Sequence, residues 1–191
     1  MFPIFASDTL LTSPFRGRFG RVVICGALCL LLGFPAMAER PPSEVEDRFG
    51  DAEPLGQVVF RWLGLPIYEA TLFTESGRDF DWNEPLALQL VYTRSFSGTS
   101  LVNATIAELE RIEGASEDYP ELRGKLESCF NDVSDGDRYV AIAYAPDRVD
   151  FLLNGRQTCS LRHRDAKERV LGIWLSEDSR SAALARRLRG Q

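Results

Sequence analysis

The chain holds a single histidine in 191 residues, and that scarcity removes several chemistries at once. A Ser-His-Asp or Cys-His site would have to be built on His163. That residue stands between Arg162 and Arg164 and reads as an exposed side chain in a charged turn. No spacing of His and Cys fit for a metal occurs. No P-loop and no GxGxxG occurs, so nothing announces a phosphate or dinucleotide cradle, and no cofactor is expected. Positive charge is also short: 22 Lys and Arg stand against 28 Asp and Glu, for a net charge of −6. With no basic cluster, a nucleic-acid partner is not expected. No apolar run reaches the roughly 20 residues a membrane-spanning helix needs.

The longest apolar run, residues 22–34, has another reading. Arg16, Arg18 and Arg21 precede it and Ala36-Met37-Ala38 follows it. A basic region, a short apolar stretch and an A-x-A site define a secretory signal peptide, here with cleavage expected after Ala38. An uncleaved N-terminal anchor is the alternative. Cys25 and Cys29 lie inside the apolar run, so no lipobox cysteine ends it, and no Arg-Arg pair precedes it. Losing residues 1–38 removes three Arg and one Asp, which moves the formal charge from −6 to −8 and leaves 153 residues. That length makes one domain with a real core, and the periplasm is its expected location. Two of the four cysteines remain, Cys129 and Cys159. In an oxidising compartment they suggest one disulfide closing about 30 residues, worth about 3–4 kcal/mol. Two buried free cysteines are the alternative.

Residues 39–54 are polar, with Pro41-Pro42 and many acids, and read as a tether with at most one helical turn from Ser43, where Glu46 matches a capping-box spacing. The folded domain is expected over residues 55–191. Residues 55–63 and 67–74 read as strands interrupted at Gly64-Leu65-Pro66. Residues 86–94 form the clearest strand, with Leu86, Leu88, Leu90 and Tyr92 on one face. Helices are expected over 101–113 and 119–129. Strands follow at 138–145, 149–153 and 157–161, the last two joined by Asn154-Gly155, a strong type I′ turn signal. Helices at 164–175 and 179–189 close the chain. Clustered antiparallel strands with helices on one face make an α+β domain.

Few residues invite a chemical role. Arg94 continues the parity of the bulky face of its strand, so a regular strand would point its guanidinium inward. An inward arginine needs either a structural carboxylate or the carboxylate of a ligand. Arg61, between Phe60 and Trp62, is the second candidate and reads as solvent-facing or at a cleft edge. Glu69 reads as a carboxylate on a solvated or edge face. Tyr68 and Tyr92 read as core residues whose hydroxyls reach a partner.

Several phrases in order resemble a known family. They are LGLPIYEATLF from Leu63, LVYTRSFSG from Leu90, FNDVSDGDR from Phe130, FLLNG from Phe151 and GIWL from Gly172. Together they resemble the chalcone isomerase-like superfamily, specifically its exported bacterial branch. The resemblance implies an open-faced β-sandwich, a large antiparallel sheet with a helical layer on one face. The plant enzymes of that family cyclise chalcones with a Tyr, a Lys and an Asn on the first helix. The matching positions here are Leu101, Ala104 and Glu108. An alkyl group, a methyl and an acid replace the needed groups, so no catalytic residue is assigned. Non-catalytic relatives bind fatty acids between sheet and helices, with an Arg and a Tyr on the carboxylate. By this resemblance Arg94, with Tyr92 or Tyr68, is expected to bind a small amphipathic carboxylate, with Arg61 in reserve. An isomerase or lyase with another catalytic set, built on Glu69 or Tyr68, and a ligand-free envelope interaction module are the competing expectations.

Overall fold

The computed structural model describes residues 40–191; the expected signal peptide, residues 1–38, lies outside the described residues. Six strands pair in chain order into one antiparallel sheet, β1-β2-β3-β4-β5-β6. They are β1 (Glu53–Trp62), β2 (Leu65–Thr74), β3 (Leu86–Tyr92), β4 (Arg138–Ala145), β5 (Arg148–Leu153) and β6 (Arg156–Arg162). A sheet with no crossovers needs only short turns where strands follow each other directly. The β5–β6 turn is the expected one, with positive φ at both Asn154 and Gly155. The β1–β2 turn is tighter than the sequence suggests. It turns through Leu63 and Gly64, at φ 50 and 80, and Pro66 already belongs to β2.

The side-chain alternation of β2 and β3 sorts the core into two layers. Ala70, Leu72, Leu86, Leu88 and Leu90 meet a helical layer made of α2 (Gly98–Glu113), α3 (Tyr119–Cys129), α4 (Ala166–Leu175) and α5 (Ala182–Leu188). The opposite face, with Phe73, Ala87, Val140 and Ile142, is not left to solvent. It is covered by α1 (Ser43–Phe49), through Val45 and Phe49. The segment expected to be a tether is therefore part of the folded unit. Its seat is ionic as well as apolar: Arg138 donates to buried Glu44 at 2.7 Å, and Arg48 donates to buried Asp150 at 3.0 Å. The expected capping box at Ser43 does not form, because Ser43 is inside the helix and Pro42 stands at its N-cap.

Local chemistry sets the start of α2. Ser97 is its N-cap and accepts the Ser100 amide at 3.2 Å. Gly98 has no room for a side chain, since a Cβ there would lie 2.3 Å from the Phe130 carbonyl oxygen. Its amide donates to Asp132 at 2.9 Å. The disulfide Cys129–Cys159 joins the last residue of α3 to β6, so a covalent bond ties the helical layer to the sheet. His163 is buried rather than exposed. It packs beside Arg169 and Asp118, where Arg169 donates to Asp118 at 2.8 Å.

At the other sheet edge α5 is seated on β1. The ladder shifts register between Pro54 and Gly56. A Cβ on Gly56 would lie 2.2 Å from the Arg187 carbonyl oxygen and 2.4 Å from that of Leu188. Both obstacles are backbone, so the helix end itself would have to move. Gly56→Ala is expected to lower stability by about 1–3 kcal/mol, the usual range for overpacking. Urea unfolding checks this: the midpoint falls while the slope is unchanged.

Candidate functional site

Between the sheet and α2, α4 and α5 lies a cavity of about 410 Å³. Its sheet side is a row of rings. Phe60, Tyr68 and Tyr92 are directly paired on β1, β2 and β3. Phe60 stacks on Tyr68 at 5.1 Å between centroids, and Tyr68 meets Tyr92 edge-on at 5.9 Å. Directly opposed residues on one sheet face are close enough for such contacts. The helix side is different. Helix α2 turns Ser100, Leu101, Ala104, Thr105, Ala107 and Glu108 toward the space, and all but Leu101 and Glu108 are small. The cavity exists because large rings face small residues. Trp174 of α4, also in the lining, donates its indole N–H to the Tyr68 hydroxyl at 2.9 Å, linking the helical layer to the floor.

The mouth lies where Trp62, Ala104 and Ala107 line the cavity and are also exposed to solvent. Here stand the two charged residues of its lining, Glu108 and Arg180. The Arg180 guanidinium donates to Glu108 Oε1 through both Nε, at 2.7 Å, and Nη2. It also lies over the Trp62 ring, 5.7 Å from the centroid. Arg111 holds the other oxygen, Glu108 Oε2, at 2.9 Å, and donates to the Asp178 carbonyl at 2.7 Å. The segment before α5 is thus strapped to α2 across the opening.

Tyr68, Tyr92 and Glu108 in the lining have pKa values displaced from their ordinary ones. Burial pushes the Tyr68 phenol far above its ordinary value, more than the bond from Trp174 lowers it. Burial does the same to Tyr92, with Tyr68 adding to the effect. Burial would raise the Glu108 carboxyl, but the bonds and charges of Arg180 and Arg111 outweigh it and hold it below the ordinary carboxylate range. The phenols stay neutral and the acid stays ionised at neutral pH. General acid–base work calls for a group near the operating pH, and none of these is poised there.

Of the residues singled out in the sequence, Tyr68 and Tyr92 line the cavity together. Arg94 does not. Strand β3 ends at Tyr92, whose amide donates to the Asp137 carbonyl, and the chain turns before the parity of the strand reaches Arg94. Arg94 is exposed, and its Nε donates to the Pro66 carbonyl at 3.1 Å. Arg61 is exposed as well, with Nη1 3.5 Å from the Gly64 carbonyl. Leu101, Ala104 and Glu108 all face the cavity. Sequence reasoning missed Arg180, which lies outside any regular element and 72 residues from its partner.

Comparison with known proteins bears on the fold. No protein-family model matches the chain. An uncharacterized protein of Haemophilus influenzae is 29% identical over 147 residues, which cover 75% of this chain and 70% of that one. The crystal structure of an Arabidopsis thaliana fatty-acid binding protein is similar with a TM-score of 0.56 at 9% identity, over 73% of this chain and 87% of that one. The fold is α+β and chalcone isomerase-like. At such low identity this likeness is one of fold.

Glu108 links its pKa to stability. Its folded pKa is depressed, so its stabilising contribution is present above its unfolded pKa, about 4.3. That contribution is lost as pH falls through the lower, folded value. Urea midpoints of the wild type and Glu108→Gln should differ by a constant amount from pH 7 down to about 5 and converge below about 4.

Proposed function

We propose that this chain is an exported, non-catalytic member of the chalcone isomerase-like superfamily that holds a fatty acid or similar amphipathic carboxylate between sheet and helices. The observation that carries the reading is the cavity itself. Its volume of about 410 Å³ falls within the roughly 300–1,000 Å³ typical of small-molecule sites. Its walls are almost wholly apolar, and its charges are confined to the mouth. That division suits a molecule with an apolar body and one charged end. The Arabidopsis protein that shares the fold is itself a fatty-acid binding protein. The Cys129–Cys159 bond supports export to an oxidising compartment such as the periplasm.

In this reading the acyl chain lies along Phe60, Tyr68 and Tyr92. The head-group contact moves from Arg94 to Arg180, the cation of the lining. Glu108 does not block it. Arg111 holds one oxygen of Glu108 and Arg180 the other. Arg180 can therefore turn to a ligand carboxylate while Glu108 keeps a cation. The resemblance makes Leu101, Ala104 and Glu108 the counterparts of the plant catalytic set, and their side chains cannot perform that chemistry. An isomerase or lyase built on Glu69 or Tyr68 fits less well, because Glu69 is not among the residues lining the cavity and burial holds the Tyr68 phenol far above its ordinary value.

Native mass spectrometry of protein purified from the cells that make it tests this. The wild type should carry an acyl mass that Ala104→Trp, with an indole placed across the mouth, loses without a drop in melting temperature. A wild type that emerges empty and takes up no added long-chain fatty acid contradicts the proposal. So does an adduct that survives equally in Ala104→Trp.

A further inference from the structure

The β1–β2 hairpin carries an apolar tip of which only Trp62 belongs to the cavity lining. Leu63 is 88% exposed, and Trp62 and Leu65 are each 51% exposed. These are the three most exposed large apolar side chains among the described residues. Single exposed leucines are ordinary on a protein surface, but three such neighbours at one projecting turn are a patch. The backbone makes the choice of residue odder still. Leu63 sits at φ 50, in the left-handed region. A two-residue turn of this kind is served at lower energy by Asn or Asp, and a bulky residue there is strained. In the free protein the Leu63 side chain gains almost no burial in return.

The surroundings of the tip say what would cover it. Arg61 and Arg94 flank its base, and both guanidinium groups bond to backbone carbonyls of the hairpin, Gly64 and Pro66. Among the described residues neither arginine makes an ion pair. In a chain with net charge −6, both arginines beside this apolar tip are left without a carboxylate partner. A convex apolar tip with a tryptophan and a cationic collar matches the physics of a lipid interface. Apolar side chains enter the boundary of the acyl region, the indole sits at head-group depth, and arginines meet phosphate. The tip also adjoins the cavity, because Trp62 belongs to its lining and lies under Arg180 at the mouth.

We propose that the β1–β2 hairpin docks this protein on an anionic lipid surface. Trp62, Leu63 and Leu65 enter the head-group layer, and Arg61 and Arg94 contact lipid phosphates. Docking by this tip brings the mouth of the cavity to the lipid. No helix among the described residues is long and apolar enough to cross a membrane, so this contact is peripheral.

Flotation with vesicles tests the proposal on the purified protein with no acyl ligand added, so its outcome is separate from that of the cavity reading. The wild type should float with vesicles of phosphatidylglycerol and phosphatidylethanolamine, less with phosphatidylcholine alone, and less as salt is raised. Leu63→Asn/Leu65→Ser should bind at least about tenfold more weakly, yet melt no lower than wild type, since Asn suits the positive φ. Arg61→Gln/Arg94→Gln should lose the preference for anionic vesicles. The proposal is overturned if the wild type fails to float with anionic vesicles at low salt, or if the leucine variant floats as well as wild type. It is also overturned if the tip instead drives self-association without lipid, seen by light scattering and abolished in that variant.

Discussion

The cavity depends on a mismatch of side-chain size across one gap. Phe60, Tyr68 and Tyr92 stand in register on three neighbouring strands, so their rings form a rigid row. Helix α2 answers with Leu101, Ala104, Thr105 and Glu108. Protein interiors normally close such spaces, packing as densely as organic crystals. Here three ties fix the separation of the layers instead. The indole of Trp174 is bonded to Tyr68, the disulfide joins α3 to β6, and the end of α5 rests backbone to backbone on Gly56. A helical layer held at three points cannot settle into the space between them.

Magnitudes separate the walls from the mouth. The walls are made of buried and half-buried apolar side chains, and the disulfide ties the two layers outside them. At the mouth Arg180 pairs with Glu108, with the arginine side chain 47% exposed and the glutamate 15%. An ion pair so open to water is worth about 0–1 kcal/mol. Burying one methylene is worth about 0.8 kcal/mol. One or two methylenes entering the cavity therefore offset the loss of the clasp. In the proposed reading, a closely packed interior is joined to an entrance that opens at little cost, so that a bound ligand can also leave.

Much of the fold was legible because its signals are local. Strand alternation, the Asn154-Gly155 turn, the order of strands and helices, and the pairing of Cys129 with Cys159 all appear where the residues suggested. The exceptions are tertiary. Helix α1 has only seven residues, and its place on the second sheet face depends on Arg138 of β4 and on Asp150 of β5. The inward orientation expected of Arg94 assumed that alternation continues, whereas the segment at Asp137 ends the strand two residues earlier. His163 is drawn inside by Arg169 and Asp118, which no local pattern marks. Within the site the floor was legible and the clasp was not. Tyr68 and Tyr92 lie on readable strands, while Arg180 meets Glu108 only once two distant segments have packed.

The central claim is that the cavity takes an acyl chain by burying it methylene by methylene. Calorimetric titration with saturated fatty acids of increasing length, each below its aggregation limit, tests this most directly. The account predicts one site per chain and an affinity that rises about fourfold per added methylene, from about 0.8 kcal/mol each. The rise should stop when the chain has filled the cavity. An affinity that is flat across the series, or no binding at any length, would contradict it.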